Sequence, residues 1–182
     1  MLRTRAALRQ ALLTLVERQP FEQITIRDIV GAAGIGYATF FRHFPTKGAL
    51  LEEVAADQIN RLTAMATPAL SRRGTRASSV AICTYVNEHR ALWAALLTGG
   101  AAGAMREEFS RIARLSAEHE LPSSSWLPVD LGVVFGVSAT VEILVWWLRQ
   151  QKPMPVEQIA EILDRLVLTP AVGAALSPDE RR

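Results

Sequence analysis

The chain has 182 residues, 49% of them hydrophobic and 21% charged, which excludes global disorder and suits one domain, or a small one attached to a larger one. The single cysteine, Cys83, excludes an internal disulfide framework and a zinc-finger cluster, and is compatible with a reducing cytoplasm. The net charge of +2 hides seven Arg/Lys against three acids in residues 1–50 and thirteen against fifteen beyond, so beside chance scatter stands the expectation of a polyanion bound at one basic end.

The N-terminus, MLRTRAALRQALL, has neither an uninterrupted apolar run nor a small-residue cleavage site, and no signal peptide is expected. From Thr4 to Arg18 the positions Leu8, Ala11, Leu12, Leu15 and Val16 form one stripe of an amphipathic helix. Gln19-Pro20 ends it, because a residue before proline avoids helical angles. Thr25 is the expected N-cap of a second helix, with Asp28 as a weak capping-box partner. Ile26, Ile29, Val30 and Ala33 give that helix its buried side, and Gly34 stops it in the left-handed conformation of a C′ residue.

A third helix is expected from Tyr37, with Phe40 and Phe44 four apart on one side. Pro45 closes it. Thr46 then caps a fourth helix running to about Leu70. Two short helices joined by a glycine-containing turn are a helix-turn-helix, whose second helix enters the DNA major groove. On this reading Phe40 and Phe44 anchor the third helix, leaving Tyr37, Thr39, Phe41, Arg42 and His43 for DNA. The same pattern also occurs as a mere corner of a helical bundle.

The run TIRDIVGAAGIGYATFFRHFPTKGALL, Thr25–Leu51, resembles the signature of the tetracycline-repressor (TetR) family of bacterial transcriptional regulators. Thr25, Arg27, Ile29, Ala33, Gly34, Thr39, Phe40, His43, Phe44, Lys47 and Leu50 match it in one register. Three positions depart. Phe41 stands where the family usually has a tyrosine, so a hydroxyl that would reach a phosphate is missing. Gly36 replaces the usual serine at the start of the reading helix, a weaker N-cap. Tyr37 occupies a commonly polar position and offers a phenol to a phosphate or its ring to a thymine methyl. Chemistry and the resemblance together assign Arg27 to a guanine edge or phosphate, and Thr25, Thr39 and His43 to phosphate oxygens. They give Lys47 to a helix N-terminus that attracts phosphate. The bland alternatives are an ordinary cap for Thr25, a solvated chain for Lys47 and a core ring for Phe41.

Beyond a polar connection at residues 71–75, helical patterns are expected at 76–97 (broken near His89), 104–120, 129–150 and 155–168, with a frayed tail over 171–182. The expected division is 1–45 for DNA binding and 46–170 for ligand binding and dimerisation. Leu131–Leu148 is long enough for a membrane span. Its Glu142, however, would cost about 2.5–3.5 kcal/mol in lipid, and a helix apolar all round is also found buried in protein. The resemblance implies the latter, with one side in its own domain and the other against a second subunit. The expected interface residues are Val137, Val141, Leu144, Leu148, Ile159, Leu163 and Leu166.

Enzyme readings find little. The three histidines, 43, 89 and 119, lie in no metal motif, and no glycine cluster follows a strand as a dinucleotide loop requires. Neither a metal nor a cofactor is expected. Tyr85, Trp93, Leu97, Met105, Phe109, Ile112, Glu142 and Trp146 are candidates to line a ligand pocket, although such residues are as readily core. A carboxylate on so apolar a helix needs a partner or a role, and the simplest for Glu142 is Arg106 or Arg111. The expectation is an all-α cytoplasmic protein, a homodimeric repressor released from a palindromic double-stranded DNA operator by a small hydrophobic or cationic ligand. The rival is a small-molecule-binding or catalytic helical protein whose helix-turn-helix is only architecture.

Overall fold

A computed structural model describes residues 2–98, 102–120 and 127–171. Among them every regular element is helical: α1 (Leu2–Val16), a 3₁₀ turn (Phe21–Gln23), α2 (Ile26–Ala33), α3 (Tyr37–His43), α4 (Lys47–Arg73), α5 (Thr75–Glu88), α6 (Arg90–Thr98), α7 (Ala102–Glu120), α8 (Val129–Leu148) and α9 (Val156–Leu163), which continues as a π-helical turn over Asp164–Leu168. The all-α expectation holds. So does the break near His89, which separates α5 from α6. Trp126 and residues 172–182 lie outside the described residues.

The chain divides into two compact units, residues 1–58 with 89–105, and residues 59–88 with 106–182. In the first, α1 packs on α2 and α6, and α2 on α3. The predicted stripe of α1 is its core face, with Leu8, Ala11, Leu12 and Val16 buried and Leu15 half-buried, joined by Ile29, Val30, Phe40, Phe44, Leu92, Trp93 and Leu96. Two of the α1 arginines are tied down too: the Arg5 guanidinium pairs with Glu53 and lies over the Phe44 ring, 4.9 Å from its centroid, and Arg9 is 3.8 Å from the same carboxylate.

In the second unit α5 packs on α9, and α8 on α9 and the π turn. Ile82, Cys83, Val86, Val141, Leu144, Trp147, Ile159, Leu163 and Val167 are buried. The Trp147 indole donates to Met154 O at 3.0 Å, and Arg76 donates to Glu157 O at 3.1 Å. Burial pushes the Cys83 thiol up to about 12, so at neutral pH it stays a thiol and behaves as packing.

Two local expectations need correction. The polar connection at 71–75 is mostly helix: α4 runs to Arg73 and only Gly74 separates it from α5. Gly74 has φ 82°, the left-handed backbone that stops a helix with one residue. The amphipathic run after Pro155 is not uniformly α-helical either, since its last turn widens to π at Asp164. Asp130–Leu148 has the length and apolarity to cross a membrane, and so does the core helix of a water-soluble protein.

Candidate nucleic-acid interface

The entry to α2 is built as predicted. Thr25 Oγ1 accepts from the Asp28 amide at 3.2 Å, and the Thr25 amide donates to Asp28 Oδ2 at 2.8 Å, closing a reciprocal capping box. The Thr25 hydroxyl also donates to that carboxylate, at 2.7 Å. These bonds from the Thr25 side chain and then its backbone hold the Asp28 carboxyl below its ordinary range. Arg27, in the first turn, is exposed. At the far end Gly34 takes φ 65°. A Cβ there would meet nothing, so the need for glycine is conformational, not steric. The Ile35 amide bonds back to Val30 O at 3.1 Å and turns the chain into α3.

Helix α3 separates its rings by face. Phe40 and Phe44 are 0% and 2% exposed, whereas Tyr37 and Phe41 are 53% and 47% exposed. Phe41 is therefore not a core ring. Its centroid lies 5.4 Å from that of Tyr37 at an interplanar angle of 61°, and 5.4 Å from Phe40 at 81°, edge-on geometries that aromatic quadrupoles favour. The outer pair is thus braced on a buried ring. Arg42 is exposed, and its guanidinium donates to Thr39 Oγ1 at 3.3 Å, leaving the hydroxyl proton of Thr39 for another acceptor. Gly36 is the N-cap and supplies no side-chain bond. His43 is half-buried.

Lys47 differs from the expectation. Its ammonium turns back to three main-chain carbonyls, Phe21, Glu22 and Ile24, at 3.0, 3.1 and 2.8 Å. An ammonium has three protons, and in this conformation each has a carbonyl within reach.

The other expected sites are placed less favourably. Trp93, Leu97 and Met105 are buried in the first unit, while Tyr85, Phe109, Ile112, Glu142 and Trp146 belong to the second. Trp146 is 49% exposed. Glu142 is also exposed and pairs with Arg106, the simpler of the two expectations for it. Of the expected interface residues, Val141, Leu144, Leu148, Ile159 and Leu163 are core and Val137 is half-buried; only Leu166 is exposed, at 63%. The reason is helix geometry: Ile159, Ala160 and Leu163 form the buried stripe of α9, the helix that packs on α5. The exposed face of α8 carries Leu131, Val134, Phe135 and Trp146 instead. Beside Leu166 runs a surface groove lined by Met154, Gln158, Glu161, Ile162 and Arg165. Hydropathy alone could not select that face, because α8 is apolar nearly all round.

Among the described residues no group of three or more His, Cys, Asp or Glu is arranged to hold a metal.

Comparison with known proteins bears on the N-terminal segment and on the fold. Residues 8–54 match the family model described as "Bacterial regulatory proteins, tetR family". No curated protein sequence matches the chain. Among solved structures, a TetR transcriptional regulator from Streptococcus agalactiae is similar at 25% identity and TM-score 0.62, over 91% of this chain and 93% of that one. A tetR-family regulator from Streptomyces coelicolor is similar at 19% identity and TM-score 0.70, over 99% and 85%. RolR in complex with resorcinol is similar at 20% identity and TM-score 0.65, over 98% and 95%.

Proposed function

We propose that this chain, a TetR-family regulator by its residues 8–54 and by its fold, is a homodimeric cytoplasmic repressor that binds a palindromic operator and releases it when a small molecule binds. The observation that carries the DNA reading is the outer face of α3. Two aromatic rings stand in solvent there on a buried ring that fixes them, with Arg42 on the same helix and Arg27 in the first turn of α2. Exposed aromatics on a seven-residue helix serve no purpose in the core. On a helix that also carries Arg42, and set behind a glycine turn, they suit the edges of bases and the phosphates beside them.

The supporting contacts are Thr25, Arg27, Gly36, Tyr37, Thr39, Phe41, Arg42 and His43. With Arg5 and Arg9 drawn to Glu53, fewer cations remain for phosphate than the sequence count suggests. Each phosphate neutralised contributes about −0.9 to the log–log salt slope.

A dimer gives each subunit one half-site. The surfaces that suit a second copy are the outer face of α8, with Leu131, Val134, Phe135 and Trp146, and the exposed Leu166 on the π turn. Residues 1–45 then carry the DNA contacts, and 46–170 the dimer seam and the ligand response. RolR, of similar fold, has been crystallised with resorcinol, which supports a small, largely apolar effector here. The argument for a cationic one weakens, because Arg106 already occupies the Glu142 carboxylate.

Selection from random duplex DNA tests the proposal. The expected result is an enriched inverted repeat whose affinity falls steeply with salt. Enrichment of nothing, or a salt-insensitive association, would leave the rival reading of an architectural helix-turn-helix.

A further inference from the structure

Lys47 is the first residue of α4, where a cation opposes the positive end of the helix dipole. The structure gives the ammonium compensating partners: the carbonyls of Phe21, Glu22 and Ile24, and the face of the Phe21 ring, whose centroid is 4.6 Å away. Ile24 immediately precedes the Thr25 cap of α2, and Lys47 comes four residues after α3 ends at His43. The lysine therefore joins the chain's entry into the α2–α3 pair to its exit from it, closing a ring around the two helices.

We propose that Lys47 is a positioning residue for DNA reading, which locks the start of α2 to the start of α4 and touches no phosphate. This rests on α2 and α3 being the reading helices. A lysine that moved to a phosphate would take its proton from Ile24 O, at the base of the cap that places Arg27. A lysine that stays makes α2, α3 and the first turn of α4 move together.

The test uses the selected operator and a random duplex, each titrated over a range of salt. Lys47→Met keeps most of the stem and removes the three donors. Positioning predicts about a tenfold loss of operator affinity, unchanged affinity for the random duplex and an unchanged salt slope. Lys47→Arg, which keeps the charge but cannot aim three protons at one point, should lose operator affinity as well. A direct phosphate contact predicts instead that both duplexes weaken together and that the slope flattens by about 0.9. That result would overturn the proposal, as would full operator affinity in either variant. Should both variants fail to fold, the wild-type protein decides. The ammonium NMR signal of Lys47 should be protected from solvent and stay in place when operator is added, and a shift to a phosphate-bound signal overturns the role. Failure of the DNA reading itself looks different, because wild type would then show no sequence preference.

Discussion

Helices α3 and α8 both hold aromatic rings in solvent, yet they do so on opposite terms. In α3 the exposed rings are an adjacent pair on seven residues, with Arg42 on the same helix and a buried ring beneath. In α8 they are spread over twenty residues of nearly unbroken apolar sequence, with Glu142 in the exposed face. A charged, sharply two-faced helix matches a ligand that is itself charged outside and flat inside, such as a duplex. A long apolar face interrupted by one paired carboxylate matches another protein surface, where a polar pair can fix register. Exposure alone does not tell the two apart; what surrounds the exposed ring does.

The comparison can be broken at neighbouring residues. The largest effect is expected from Phe40→Ala, which empties a fully buried site and should cost about 3–5 kcal/mol of unfolding free energy by denaturant titration. Phe41→Ala, one residue away, should leave the protein within about 0.5 kcal/mol of wild type while weakening operator binding. Equal stability losses would mean that Phe41 is core after all.

The same contrast applies to the proposed seam. Leu163→Glu buries a charge in the protomer core and should unfold the protein, whereas Leu166→Glu should leave helicity unchanged by circular dichroism and shift sedimentation from dimer to monomer. A Leu166→Glu dimer with full operator affinity would move the interface elsewhere.

A smaller effect sharpens the α3 half. If Tyr37 and Phe41 rest on thymine methyls, replacing thymidine with deoxyuridine in the half-site should cost about 0.8 kcal/mol per methyl, roughly fourfold in Kd. In Phe41→Ala that sensitivity should shrink. An effect of similar size concerns the cap. Thr25→Ala should lower stability by about 1 kcal/mol. The folded-state pKa of Asp28 is depressed, so its contribution is present above the ordinary carboxylate range and lost as pH falls through the folded value. Unfolding titrations from neutral to acid pH should show this slope, and Asp28→Asn should flatten it.

Much of the N-terminal unit was legible in the sequence because its signals are local. A cap, a capping box, a left-handed glycine and rings four apart each act within one turn of chain, and Thr25, Asp28, Gly34, Phe40 and Phe44 behave as read. The carbonyl partners of Lys47 were not legible because they lie 23 to 26 residues away, beyond any helical spacing. Which apolar residues of α8 and α9 stay exposed was not legible, because periodicity identifies a face only where polarity varies around the helix. Leu163 and Leu166 are one turn apart, equally apolar, and on different sides. The 3₁₀ turn at Phe21–Gln23 and the π turn at Asp164–Leu168 left no mark in hydropathy, since both are set by main-chain bonding.

Cys83 has a practical bearing on all of these tests. It is fully buried in α5, and its thiol is pushed up to about 12, so a maleimide or a spin label should ignore it while the protein stays folded. The native sequence is then already a silent background for site-directed labelling. A cysteine introduced at Tyr37 or Trp146 would be the one reactive thiol, ready to carry a fluorophore to the outer face of α3 or a spin label to the outer face of α8. Reaction at Cys83 itself would time the opening of the second unit, a clock for local unfolding that needs no engineering.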